Sequence, residues 1–272
     1  MHYKTLTAIT LALATLNAHA NMSVQVTDDS GYSLNLNLSP FSHFNAQTGD
    51  FSLDLSSIQT PVNDGDGQWS LGTTQVYDRQ AQSFKTVDAI SWHNWAATVT
   101  FAAIGNIDPE MSYGFFAKNT SNATQTYTVN HGEAMSPDIN GPYTLHAEIS
   151  GSVTNPSGTG AVSIAQVPGF SRIQAVRLSS DGGATFVNGG VNVGHAYDSN
   201  AVGSRPYGED QANTTGTGHY NYWDFQTQFR LSAKDTFSLT GYAEITPVPE
   251  PASWMLPVVG LAVLLTRRRQ AN

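Results

Sequence analysis

The chain has 272 residues, 12 basic against 21 acidic side chains, a formal net charge of −9 and no cysteine. An acidic balance argues against nucleic-acid binding, which needs a basic surface. The missing cysteines exclude a disulfide scaffold, a thiol nucleophile, thiolate-bound zinc and an iron–sulfur cluster. With 40% hydrophobic and 10% aromatic residues the chain is not of disordered composition.

Residues 1–20 read as a secretory signal peptide. Lys4 supplies a positive start, Leu6 to Leu16 is an apolar run interrupted only by Thr, and Ala18-His19-Ala20 is a small-x-small cleavage site. Ala18 and Ala20 are therefore the cleavage residues, and Asn21 begins the mature chain. The apolar run is too short to cross about 30 Å of hydrocarbon.

Residues 21–246 read as one all-β domain. Apolar residues recur with period two. Tyr32, Leu34, Leu36 and Leu38 alternate with polar residues, and so do Phe51, Leu53 and Leu55. Further strands are expected at 97–101, 112–116, 125–129, 144–149, 161–167, 173–178, 220–231 and 236–245. Turn-forming runs punctuate them at Asp29-Ser30-Gly31, Asn63 to Gly67, Asn155 to Gly158, Asp181-Gly182-Gly183 and Asn188-Gly189-Gly190. Many short strands with one polar face predict an antiparallel β-sandwich, jelly-roll-like. The Gly-, Ser-, Thr- and Asn-rich stretch 192–218 predicts a long loop.

Three sets of residues in this body are candidates for chemistry. Asn63-Asp64-Gly65-Asp66-Gly67 suits a tight turn, and Asp64 and Asp66 are the candidate ligands for a calcium ion. The distal Glu of a full calcium loop is missing, and no cofactor is otherwise expected. Trp92 and Trp95 flank His93-Asn94, and Tyr220 and Tyr222 alternate with Trp223 and Phe225. Packing is the ordinary role of such rings, with Trp223 and Phe225 facing the core. Trp92, Trp95, Tyr220 and Tyr222 are the candidates for stacking on sugars. Glu133, Glu148 and Asp224 are conceivable members of a carboxylate pair for glycoside cleavage, although surface acids are the expectation for each. No catalytic motif occurs, so no catalytic residue is assigned and an enzyme is not expected.

Residues 247–272 differ in kind. Pro249-Glu250-Pro251 precedes an apolar stretch from Trp254 to Leu265, which is followed by Arg267-Arg268-Arg269. Proline holds the chain extended, the apolar stretch partitions into a bilayer as a short hydrophobic helix, and the arginines remain on the cytoplasmic side as a stop-transfer cluster. This order of parts resembles the PEP-CTERM sorting signal of exopolysaccharide-producing bacteria. The resemblance implies that exosortase, a membrane protease-transpeptidase, recognises Pro249, Glu250 and Pro251. The stretches Asp108 to Phe115 and Leu231 to Gly241 also resemble strands in the ectodomains of proteins bearing this signal.

The expectation is thus an exported, non-catalytic protein. It anchors transiently in the inner membrane and is then displayed at the cell surface or released into an exopolysaccharide or biofilm matrix. A secreted carbohydrate-binding module is the alternative, and a polysaccharide-modifying hydrolase a weaker one. Four of the basic residues, Lys4 and Arg267 to Arg269, lie in the two terminal segments, so the body between them is more acidic than the whole.

Overall fold

The computed structural model describes residues 21–248, except 29–32, 46, 48–49, 54–61, 64–66, 79–81, 107–109, 157–161, 167, 170 and 200–201. The expected signal peptide, Asp64 and Asp66, and the Pro-Glu-Pro, apolar and arginine segments lie outside the described residues.

The described chain is almost wholly antiparallel β-sheet. In order the strands are β1 (Asn21–Asp28), β2 (Ser33–Asn37), β3 (Ser42–Phe44), β4 (Asp50–Leu53), β5 (Val62–Asn63), β6 (Gln68–Asp78), β7 (Ser83–His93) and β8 (Ala97–Asn106). They continue with β9 (Glu110–Asn119), β10 (Gln125–Asn155), β11 (Val162–Ala165), β12 (Gln174–Ser179), β13 (Val187–Val193), β14 (Tyr197–Ser199), β15 (Gly203–Leu231) and β16 (Thr236–Pro247). A 3-10 turn, Ser39–Phe41, follows β2.

Two very long strands organise the molecule. β10 and β15 pair along nearly their whole length, from Gln125 opposite Leu231 to Asn155 opposite Gly203. The ladder breaks between Ala134 and Ile139, where extra residues on β10 bend the ribbon. Before the bend, β10 pairs with β1 on its other edge, and β15 pairs with β12, which pairs with β13. After the bend, β16 takes over the free edge of β10, and β9 and β8 follow outward. The bent ribbon therefore contributes one arm to each of two sheets, which fold onto each other.

Alternation fills the space between them. Tyr127, Val129 and Phe225, Phe229 face inward from the first sheet, and Phe101, Phe115 and Phe237 face them from the second. Phe115 meets Phe229 edge-on at 5.8 Å, and Phe237 meets it at 4.8 Å. The Tyr113 hydroxyl crosses the core to donate to Gln174 Oε1 and lies 2.6 Å from Thr227 Oγ1. The sandwich expected from the period-two pattern is thus the architecture found.

The β6–β7 hairpin adds a local third layer. β7 pairs with β8 only from Ile90 to His93. Beyond that the hairpin curls over the outer face of the second sheet, where Val76, Ala89 and Ala102 form a small satellite core. Gly114 makes room, since a Cβ there would lie 2.0 Å from the Gln75 carbonyl oxygen.

Two expected loops and turns are strand instead. The segment 192–218 is largely β-structure, because its backbone is paired to β10 from Gly203 through Gly218. Its glycines serve packing: a Cβ on Gly216 would meet the Tyr143 ring at 2.4 Å, and one on Gly218 would meet Tyr220 at 2.5 Å. Asn188-Gly189-Gly190 lies inside β13 rather than at a chain reversal. Gly190 has φ +86° and the β12–β13 ladder shifts register opposite it, so the run makes a bulge. The expected separate strands at 125–129 and 144–149 are the two arms of β10.

Candidate functional site

The structure separates the four aromatic candidates. Trp92 is only 1% exposed and belongs to the core, which corrects its assignment to sugar contact. β7 places it on the inward face, where a Cβ on Gly67 would strike its ring. Trp95 is 68% exposed at the tip of the β7–β8 hairpin. Asn94 shapes that tip, its Oδ1 accepting from the N–H groups of Ala96 at 2.8 Å and Ala97 at 2.9 Å.

The tip is braced by its neighbours. Thr120 Oγ1 donates to the Trp95 carbonyl at 2.9 Å, and Gln125 Nε2 donates to the Ala96 carbonyl at 3.1 Å. Asn119 Nδ2 donates to the carbonyls of Ala123, Leu231 and Ser232, which ties the β9–β10 and β15–β16 turns together. Three turns thus gather at one end of the sandwich with Trp95 projecting from them.

Tyr220 is half-buried and meets Tyr143 edge-on at 5.9 Å. Tyr222 lies on the outer face of the first sheet, as the alternation implies, yet it is only 7% exposed. The β12–β13 connection covers it. Gly183 lies against its ring, and Phe186 meets it edge-on at 6.0 Å. Tyr222 is therefore not an open stacking platform.

That same connection builds a groove which sequence reasoning missed. Asp181 organises it. Its carboxylate accepts from Ser179 Oγ at 2.6 Å, from the Thr185 N–H at 2.9 Å and from Thr185 Oγ1 at 2.6 Å. These hydrogen bonds hold its acid down at about 2. Gly182 and Gly183, at φ +72° and +90°, let the backbone turn back, and Phe186 is laid down beside β12.

Arg177 lies over the Phe186 ring, 4.6 Å from its centroid. Its Nε donates to Asp224 Oδ1 at 2.8 Å and its Nη2 to Asp224 Oδ2. The pairing follows from register, because β12 sets Arg177 directly opposite Asp224 on β15. Burial pushes the Asp224 carboxyl up from its ordinary value, and Arg177 partly offsets that. The groove, about 240 Å³, is lined by Arg172, Arg177, Phe186, Asn188, Asn192 and Gln226 among others. The signal for it was Asp181-Gly182-Gly183 read as a turn, but which side chains that turn covers depends on a strand some 40 residues later.

The three candidate acids do not share a cleft. Glu133 faces the interior, 4% exposed, and Asp224 is 5% exposed beneath Arg177, so neither is the surface acid expected. Burial pushes Glu133 well above its ordinary range, a nearby Trp223 N–H opposes this, and Glu110 reinforces it. Glu148 lies on the outer face of the second sheet, 3.4 Å from His146 Nε2. His146 Nδ1 is 2.8 Å from Asn213 Oδ1, and a second groove of about 310 Å³ includes His146, Asn213 and Glu244. Among the described residues no cluster of three His, Asp or Glu side chains could hold a metal ion.

No protein-family model matches the chain, and no characterised protein matches it in sequence. A solved structure, the enzymatically active domain of tailspike protein 4 of bacteriophage CBA120, aligns with 67% of this chain at 10% identity and a TM-score of 0.26. The chain spans about a fifth of that structure, the alignment covering 20% of it. Likeness at that level bears on neither fold nor function.

Proposed function

We propose that this chain is an exported, non-catalytic protein of the cell surface or extracellular matrix, sorted by exosortase and associated with exopolysaccharide. The observation that carries the reading is the order Pro249-Glu250-Pro251, apolar stretch, Arg267-Arg268-Arg269 behind a signal-like first 20 residues. β16 closes at Pro247, two residues before the Pro-Glu-Pro stretch in the sequence. In this reading the inner membrane holds the chain only until cleavage, and the jelly-roll-like sandwich is the part delivered.

The test is intact-mass analysis of the protein from its native host, with and without residues 249–272. The expected mature chain starts at Asn21 and ends near Pro249-Glu250-Pro251, and the truncated form is mislocalised. A truncated form found in the same compartment with the same mature mass would overturn the proposal.

A carbohydrate-binding module is the second reading. Trp95 on the distal turns and the Arg177 groove favour it over a passive scaffold.

A further inference from the structure

We propose that the Arg177 groove binds a carboxylate-bearing saccharide unit, a uronate of an acidic polysaccharide. The proposal deepens the matrix role and rests on it.

Donor geometry selects the anion. Two arginines line this groove, each backed by a carboxylate outside the lining, Arg177 by Asp224 and Arg172 by Asp210. Arg177 is held rigid. Asp224 takes Nε and Nη2, and Phe186 covers one face of the guanidinium. Of its five N–H donors, the pair on Nη1 is not engaged by Asp224. A guanidinium fixed by a buried carboxylate and an aromatic face has little rotamer freedom left to lose on binding. Arg172, about half exposed and 3.9 Å from Asp210, supplies a second and more exposed cation.

The rest of the lining selects the sugar. Asn188, Asn192 and Gln226 bring planar amides that both donate and accept, which suits vicinal hydroxyls. Asn188 is fixed, its Oδ1 accepting from the Gly190 N–H at 2.8 Å. A groove of about 240 Å³ suits one or two sugar rings rather than a long chain. Arg177 occupies one face of the Phe186 ring, so recognition rests on the ionic and amide contacts of the lining.

The test is calorimetric titration of the full chain with trigalacturonate, its methyl ester and inorganic phosphate. The variants are Arg172→Gln and Asn192→Ala, neither of which uncovers Asp224. Binding of trigalacturonate, weakened roughly ten-fold or more by esterification and by each variant at unchanged melting temperature, is the expected result. Absence of binding at about 10 mM ligand, equal affinity for the ester, or unaltered affinity in both variants would overturn the assignment. So would inorganic phosphate binding as tightly as trigalacturonate, since the groove would then be a simple anion site. The mature mass is unaffected by any of these outcomes, so failure here is distinguishable from failure of the sorting proposal.

Discussion

His131 and Asp235 set opposite pH responses on the stability of the sandwich. His131 is fully buried against Phe101 and Phe225, and burial holds its imidazole down at about 3. Between that value and the unfolded value of about 6.5 the unfolded chain binds the extra proton, so stability falls as pH drops through this window. Asp235 behaves the other way. Burial lifts its carboxyl to about 6, despite a hydrogen bond from the Ser163 N–H. Between about 3.9 and that value the folded chain binds the extra proton, so stability falls as pH rises. Asp235→Asn keeps the acceptor and removes the titration. It should leave the melting temperature near pH 4 almost unchanged and raise stability at pH 7 by about 2 kcal/mol. Thermal melts of both chains across pH 4 to 8 check this, and parallel profiles would refute it. The interior tie has its own expectation: Tyr113→Phe strands Gln174 and Thr227 in the core and should cost about 1–3 kcal/mol in denaturant titration.

At the scale of the element, the outer half of the β6–β7 hairpin is expected to detach as a unit. It is held to the second sheet by a small satellite core, by the edge-on contact of Tyr77 with Tyr242 at 6.0 Å, and by the close seat at Gly114. Gly114→Ala sets a Cβ against the Gln75 carbonyl and should lift the hairpin while the main core persists. Hydrogen exchange should quicken across residues 71–89 with β8 to β10 protected, at a cost of about 1–3 kcal/mol. Uniform exchange changes over the whole sheet would show that the hairpin is not a separable unit. Neither β6 nor β7 was anticipated, because burial on these strands comes from curling over another sheet, and exposed Leu71 and Phe84 break the alternation. β1 was legible and missed: Met22, Val24 and Val26 alternate with polar residues and are all buried.

For the molecule as a whole, the first and last described strands lie on one edge of β10. Asn21 pairs with Gly132 and Pro247 with Tyr143, on either side of the bend. The Trp95 turn, braced by Thr120 and Gln125, lies at the other end of the strands. β16 runs from that end to the bend in 12 residues, about 40 Å at ~3.3 Å per residue. A chain tethered by its C-terminal segment would carry Trp95 and its neighbours away from the bilayer. The absence of cysteine permits a direct check. In liposomes, a fluorophore on Thr246→Cys should be quenched by lipid-borne quencher and one on Ala233→Cys should not. Equal quenching at both positions would contradict the geometry.

Composition, period-two patterning and the terminal motifs were sufficient for the all-β class, for most strands of the core and for the proposal of export and sorting. These are local properties, carried by neighbours in the chain. Pairing was not local. That 192–218 is strand, that Asn188-Gly189-Gly190 is a bulge, and that β10 is one bent strand depend on ladders between residues far apart. Burial was not local either. Alternation correctly directs Tyr222 and Asp224 to the outer face, but only the folded β12–β13 connection covers the tyrosine and only cross-strand register sets Arg177 over the acid. The candidate groove exists because of that covering, and a single strand's pattern carries no information about what will be laid across it.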